Sequence, residues 1–393
     1  MVKVIRYLLF PLSVLYGLIV AIRNFLFDND IMKSSEFDVP TIVVGNLTAG
    51  GTGKTPHVEY LIRLLKGNHK VATLSRGYGR KTTGFIKADI ETTAKDIGDE
   101  PMQFHSKFSD ITVNVGAKRV AGIIEIMGEE NSPEVILLDD AFQHRQLKSG
   151  FSILLTDYNR LFYKDFMLPT GYLREFGNGR KRANTIIVTK CPASISEEEK
   201  LQIIQKIKPN NSQSIFFSTI KYGNIKSIWD ESILENAKTS EVVLVTGIAK
   251  SEPFKKHVES KFKINKHFDF PDHHNFTDKN IQSIITTFEK SQPENCVILT
   301  TEKDAMRLKL NEELKKYPIY YTEIEIEIIG EGNKFDKEII EGYEPPHIDE
   351  SQIKKPKGNP GQNRNRNSRN PNSKPGNKKH YYSKNSKGKG GKR

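Results

Sequence analysis

Thr48-Ala-Gly-Gly-Thr-Gly-Lys-Thr55 stands directly after the apolar run Thr41–Val44 and directly before an amphipathic stretch, Val58–Leu65. Strand, glycine-rich turn and helix in that order is the context in which such a loop cradles phosphate. Gly50, Gly51 and Gly53 let backbone N–H groups turn inward around phosphate oxygens, with Thr48, Ala49 and Thr52 completing the loop. Lys54 reaches the β- and γ-phosphates, and Thr55 offers its hydroxyl to Mg²⁺. Thr48 occupies the position where the general pattern has glycine. A plain glycine-rich helix cap is the bland alternative, and Gly-Lys-Thr in this frame favours the nucleotide loop, with ATP and Mg²⁺ as ligands.

Working outward, the apolar runs Val71–Leu74, Ile111–Val115, Val135–Leu138, Ser152–Leu155 and Thr185–Val188 alternate with helical patterns. That alternation predicts a mostly parallel α/β sheet covered on both faces, a P-loop NTPase-like domain over residues 36–220. A polar stretch containing Gly223, Asp230 and Glu231 follows, then Val242–Val245, Cys296–Leu299 and Ile319–Tyr321. These read as a second, smaller α/β domain over 235–330, with a joint near 220–235.

A P-loop enzyme needs a carboxylate at the end of a buried strand to orient the metal. Val135-Ile-Leu-Leu-Asp-Asp140 supplies one, so Asp139 and Asp140 are metal candidates beside Thr55. Gly98-Asp-Glu-Pro101 and Phe270-Pro-Asp-His-His-Asn-Phe276 combine carboxylates or imidazoles with turn residues. A carboxylate that fixes the tautomer of a histidine is a common way to build a base for an acceptor hydroxyl. Spacing alone leaves open whether Asp99 and His273 meet. Arg76, Arg80, Arg119 and Arg174 are candidates for neutralising phosphate charge.

The formal charge of +12 over 393 residues suggests a nucleic-acid binder until it is located. Fourteen of the sixty Lys and Arg lie in 351–393, which has no Asp or Glu, leaving 46 basic and 48 acidic side chains before it. Nucleic acid is therefore not an expected partner of the folded part. The tail, built from Asn, Lys, Arg, Gly, Ser and Pro, cannot bury enough apolar surface to offset its ordering entropy and is expected to be disordered, able to bind anionic lipid or RNA weakly. Two cysteines, Cys191 and Cys296, sit beside apparent strands at no metal-ligand spacing, consistent with a reducing compartment. At the other end, Tyr7–Ile22 is uncharged and rich in Leu, Ile, Val and aromatics, flanked by Lys3, Arg6 and Arg23. It contains Pro11, Ser13 and Gly17 and falls short of the ~20 apolar residues of a spanning helix, so a helix lying in the membrane interface within residues 1–30 fits better than a span, a signal peptide or a core helix.

The segments Gly45–Pro56, Arg76-Gly-Tyr-Gly-Arg80, Gly98–Pro101, Leu138-Asp-Asp-Ala-Phe-Gln-His144, Leu168-Pro-Thr-Gly-Tyr-Leu-Arg-Glu175, Gly247–Ala249, Phe270–His274 and Thr301-Glu-Lys-Asp-Ala305 together resemble the tetraacyldisaccharide 4′-kinases. That family phosphorylates the lipid A precursor of Gram-negative bacteria, and the likeness runs in order over roughly residues 5–325. One departure is Ala141, where the family's Asp-Asp-Gly-Phe-Gln-His has glycine, which puts a local backbone conformation in question. The resemblance implies that Asp99 and His273 activate the acceptor hydroxyl, with Lys54 and Arg174 completing the catalytic set and Glu100 joining Thr55, Asp139 and Asp140 around Mg²⁺. It also implies two α/β domains that close on ATP, an acylated disaccharide 1-phosphate as acceptor, and a place on the cytoplasmic face of the inner membrane. A switch GTPase or metallochaperone ATPase is the rival. Neither Thr189-Lys-Cys191 nor Thr301-Glu-Lys-Asp304 matches the base-reading Asn-Lys-x-Asp loop such proteins carry.

Overall fold

Helix α1 (Phe10–Asp28) precedes strand β1 (Thr41–Asn46), helix α2 (Lys54–Leu65), β2 (Val71–Ser75), β3 (Ile86–Lys87), α3 (Ala94–Ile97), α4 (Asp99–Lys107), β4 (Thr112–Val115) and α5 (Arg119–Met127). Then come β5 (Val135–Asp139), β6 (Phe151–Asp157), β7 (Thr185–Thr189), α6 (Glu197–Ile207) and β8 (Ser214–Ser227). The remainder is β9 (Glu241–Thr246), α7 (Glu252–Glu259), β10 (Lys263–Asp269), α8 (Asp278–Lys290), β11 (Cys296–Thr301), α9 (Glu302–Leu308), β12 (Ile319–Ile328) and α10 (Gly332–Tyr343). This computed structural model describes residues 8–234, 240–291 and 294–343. Lys3, Arg6, Tyr7, the start of the 235–330 stretch at 235–239 and the basic tail 351–393 lie outside the described residues.

All twelve strands join one sheet in the order β10-β9-β11-β12-β8-β7-β6-β1-β5-β2-β4-β3. Pairing is parallel except for β3 with β4 and β12 with β8. β1 lies between β5 and β6 with every residue buried. Covered on both faces, it reads as an unbroken apolar run rather than an alternating one. Its side chains still alternate between faces: Val43 packs with Leu74, Ile123 and Leu138 on one side, Ile42 and Val44 with Val58, Ile62 and Leu137 on the other. The loop after β1 therefore leaves at the carboxyl edge, beside the ends of β5 and β6, where open α/β sheets bind ligands.

The fourteen-residue β8 pairs in parallel with β7 through Ser214–Phe217, then antiparallel with β12 through Ser218–Ser227. It carries the sheet through residues 220–227, inside the polar stretch where the sequence suggested a joint. Its partly exposed positions admit Lys221, Asn224 and Lys226, and this polar content disguises it as loop. β10 is an edge strand with two exposed lysines, Lys263 and Lys266, and was illegible for the same reason.

α1 runs six residues beyond the uncharged stretch, because Phe25, Leu26 and Phe27 continue the apolar pattern after Arg23 and Asn24. Pro11 falls in the first turn, where its missing N–H leaves no helical partner unsatisfied. The buried residues of α1 are Ser13, Gly17, Val20 and Phe27, with Asn24 bonded to Glu175, whereas Leu12, Leu15, Leu18, Ile19, Ile22 and Phe25 are each more than half exposed. An amphipathic helix of a soluble protein keeps such a row of large apolar side chains on its buried face.

Candidate active site

The loop Thr48–Gly53 is shaped by two left-handed glycines, Gly50 (φ 104°) and Gly53 (φ 86°), the latter immediately preceding α2. A side chain is disfavoured at such φ, which explains both residues. Thr48 needs no such freedom: it is buried and bridged to Leu173. The loop is tied from several sides. Asn46 Nδ2 donates to Thr52 Oγ1 at 3.0 Å, Thr189 Oγ1 to the Thr52 carbonyl at 2.8 Å, and Ala49 N–H to the Tyr172 carbonyl at 2.7 Å. Arg160 donates to the Ala49 carbonyl, and Lys190 to that of Gly51. Lys54 and Thr55 open α2, so the N–H groups of its first turn face this same edge.

β5 ends at Asp139, which pairs in register with Val44 of β1 and so stands beside the loop. Asp139 is buried, and its Oδ1 has no hydrogen-bond partner. Burial pushes its carboxyl up to about 7, assisted by the nearby charges of Glu100 and Asp140 and opposed by Lys54 and Arg119. An orphaned carboxylate oxygen on the strand end beside the loop is what a divalent cation would satisfy, so the residues fit Mg²⁺. Among the described residues no cluster of three or more His, Cys, Asp or Glu forms a dedicated metal cage. Mg²⁺ commonly keeps several waters and takes one or two carboxylates plus substrate phosphates.

Asp140 behaves differently. It adopts φ 48° and turns toward cations, with Lys54 Nζ at 3.5 Å and Arg174 Nη1 donating to Oδ1 and Oδ2 at 2.9 and 3.1 Å. Burial works to raise its pKa, but Lys54 and Arg174 outweigh that and hold the carboxyl below the usual carboxylate range. Ala141 in the glycine position is not strained, since the left-handed residue is Asp140, not Ala141. Arg119 is buried at the start of α5 and donates to the carbonyls of Gly116 and Asp139, bracing the end of β5.

Gly98 (φ 90°) starts α4 and sets Asp99 at its first turn. His273 Nδ1 lies 3.2 Å from Asp99 Oδ2, so the carboxylate and imidazole that spacing could not connect are in contact. Two residues the sequence reading assigned no role complete the group. Arg307 Nε donates to Asp99 Oδ2 at 2.8 Å and Nη2 donates to the same oxygen. Lys303 Nζ lies 3.0 Å from His273 Nε2 and 3.4 Å from Glu100. With Nδ1–H donating to Asp99, Nε2 is the basic nitrogen, and Lys303 donates to it. Arg307 is itself held by the buried Asp304 and the His274 carbonyl. Burial works to raise the Asp99 pKa, and His273 and Arg307 reverse it, so Asp99 stays ionised well into acid. The signal for both missed residues was Thr301-Glu-Lys-Asp-Ala305 and the arginine after it: Thr301 caps α9, aligning Lys303 and Arg307 one turn apart on a face toward α4.

The arrangement thus has a phosphate cradle with two cations, one ionised and one protonation-prone carboxylate, and a carboxylate–imidazole pair. Over residues 5–343 the chain matches the family model of tetraacyldisaccharide-1-P 4′-kinases. It belongs to that family. Proteins named tetraacyldisaccharide 4′-kinase from Flavobacterium johnsoniae and Flavobacterium psychrophilum are 46% and 49% identical to it, over 86% of this chain and 97% and 96% of theirs. The one from Bacteroides thetaiotaomicron is 45% identical, over 85% of this chain and 92% of its own. Among solved structures, the LpxK of Aquifex aeolicus in complex with ATP is similar at a TM-score of 0.69 and 28% identity, covering 86% of this chain and all of that one. The α/β fold read from the sequence is that of this tetraacyldisaccharide 4′-kinase neighbour.

Proposed function

We propose that the chain transfers the γ-phosphoryl group of ATP to the 4′-hydroxyl of a tetraacyldisaccharide 1-phosphate, giving a lipid A precursor of the lipid IVA type. The observation that carries this reading is the contact of His273 with Asp99 at the edge that also holds the phosphate loop. A phosphate loop alone serves many ATPases, whereas a carboxylate–imidazole pair beside it serves an acceptor hydroxyl.

In this reading Gly50 to Thr55 seat the triphosphate and Lys54 neutralises it. Thr55 and Asp139 would hold Mg²⁺, with Asp140 and Glu100 nearby, and the cation would supply charge neutralisation at the phosphates. Arg174 keeps Asp140 occupied and contributes positive charge at the cradle. The 4′-hydroxyl displaces Lys303 from Nε2 of His273 and gives its proton to that nitrogen, while Nδ1–H remains on Asp99. The new O–P bond forms as the bond between the γ-phosphorus and the ADP oxygen breaks. The two lobes, 36–220 and 235–330, close on ATP and lipid and exclude water.

The acceptor's acyl chains explain the outward apolar face of α1. The helix seats the enzyme on the cytoplasmic face of the inner membrane, where ATP is present, and the basic 351–393 tail adds weak attraction to anionic lipid. Incubation with ATP, Mg²⁺ and the tetraacylated disaccharide 1-phosphate in detergent micelles tests the assignment by mass spectrometry. The acceptor should gain one phosphoryl group. ATP turnover with an unchanged lipid would instead support a switch ATPase.

A further inference from the structure

We propose that Lys303 selects the lipid hydroxyl over water as phosphoryl acceptor, by occupying Nε2 of His273 until a bound acceptor displaces it. The proposal rests on the transfer reaction given above and deepens it, naming the residue that decides which hydroxyl the base serves.

The placement of Lys303 follows from its two neighbours. Thr301 ends β11 and caps α9, so Glu302, Lys303 and Asp304 form the first turn of that helix. Glu302 turns to Lys107, with Oε1 2.6 Å from Nζ. Asp304 turns inward, where its Oδ2 accepts from Gly247 N–H at 2.8 Å and from Thr301 Oγ1 at 2.6 Å. Both carboxylates are buried, so the backbone between them is pinned and Lys303 extends from a fixed base. The Gly247 carbonyl in turn accepts the backbone N–H of His273 at 3.2 Å. One short network therefore sets the lysine and also the backbone of the histidine, which is left-handed at φ 58°.

The imidazole of His273 is engaged at both nitrogens. Nδ1 faces Asp99, and Nε2 faces the Lys303 ammonium at 3.0 Å. An ammonium has three donors and no acceptor, so this contact takes up the bare lone pair of Nε2, the one that receives the acceptor's proton. Glu100 Oε1 at 3.4 Å and Asp272 Oδ1 at 3.6 Å are further partners of the same ammonium. Tyr78 lies against the ring at 4.9 Å between centroids, yet the His273 side chain is 28% exposed and solvent reaches it. Were water the acceptor, its oxygen would bond to the γ-phosphorus and its proton would pass to Nε2. The bond to the ADP oxygen would break, leaving ADP and inorganic phosphate. Water would first have to displace a charge-assisted hydrogen bond, and it brings no other binding to offset that cost. A lipid acceptor binds through sugar and acyl groups remote from the hydroxyl, and that binding drives the displacement. Glu100 and Asp272 then hold the displaced ammonium, so its charge stays paired.

The test uses the full chain in detergent micelles. It compares inorganic phosphate released from ATP and Mg²⁺ without lipid with label transferred to the tetraacylated disaccharide 1-phosphate. K303A should raise lipid-free phosphate release roughly 10- to 100-fold, the factor that one hydrogen bond to a charged group supplies, and lower the ratio of transfer to hydrolysis. n-Propylammonium added to K303A should suppress the excess, which a role confined to folding would not allow. K303R keeps a cation there and should leak less than K303A. H273A/K303A should lose the excess, because no base is left to uncover. Lipid-free hydrolysis that stays at the parent's level in K303A, with transfer reduced or not, overturns the proposal, and so does an excess that survives in H273A/K303A. Denaturant unfolding checks that K303A is folded; if it is not, K303M, which keeps the aliphatic stem, takes its place under the same criteria. No label in the lipid from the parent would instead overturn the kinase reading, and this proposal with it.

Discussion

His273 Nδ1 stands 3.2 Å from Asp99 Oδ2 across 174 residues of sequence, and Arg307 donates twice to that same oxygen. Asp99 comes from the half of the sheet that bears the phosphate loop, whereas His273 and Arg307 follow β10 and β11 in the other half. Asp99→Asn and His273→Ala should each lower kcat by roughly 10²- to 10⁴-fold, as loss of a positioned base does, while ATP affinity stays unchanged. Arg307 acts through Asp99. Arg307→Ala should lower kcat with little change in the acceptor KM, and Arg307→Lys should recover part of it, since a lysine keeps the charge without the fork. Steady-state kinetics with ATP titrated by calorimetry distinguishes these. A change confined to KM for Arg307→Ala would contradict the positioning role.

Asp139 gives a pH dependence of definite sign. Its carboxyl is pushed up to about 7 by burial, Glu100 and Asp140, so below that pH it holds a proton. Mg²⁺ binds the ionised form, and binding must displace the proton. Mg²⁺–ATP affinity should therefore fall as pH drops below about 7, with proton release on binding near neutrality. Calorimetry in buffers of different ionisation enthalpy measures that release, and Asp139→Asn should abolish it.

A buried cluster joins α2, α4 and α9. Lys107 Nζ lies 2.8 Å from Glu59 Oε2 and 2.6 Å from Glu302 Oε1, and Gln103 donates to Glu59 at 2.7 Å. Lys107→Met would remove the cation that two buried carboxylates share, leaving Glu59 only Arg63, at 3.3 Å, as a cation among the described residues, and should cost about 3–5 kcal/mol in denaturant unfolding.

Glu302 in that cluster is pushed up to about 7 by burial and by Glu59, against the pull of Lys107, from an ordinary value of 4.5. Between those values the folded chain holds a proton that the unfolded chain has lost. Its stabilising contribution is therefore full below about 4.5 and lost as pH rises through about 7. Glu302→Gln should flatten the stability–pH profile over that window. An unchanged slope would place the titration elsewhere.

Strands β1, β2, β4, β5, β6 and β7 were legible because burial on both faces makes each an apolar run, and the loop because Gly50 and Gly53 are required at φ values that other residues avoid. β8 and β10 were not, since their exposed positions carry lysine and asparagine. The site residues came through as types in motifs, but not the connections between them. Nothing in spacing says that Asp140 binds Lys54 and Arg174 while Asp139 keeps a free oxygen; that division comes from the left-handed backbone at Asp140. Arg307 was missed because one arginine on a short helix looks like any solvated one until tertiary packing sets it on Asp99.

The most direct test of the central claim follows radiolabel from γ-labelled ATP into the tetraacylated disaccharide 1-phosphate, with the parent chain beside Lys54→Ala and Asp99→Ala. The account predicts label in the lipid for the parent and loss of nearly all of it in both variants. Full transfer by Asp99→Ala would contradict it, because the acceptor hydroxyl would then be activated without the Asp99–His273 pair.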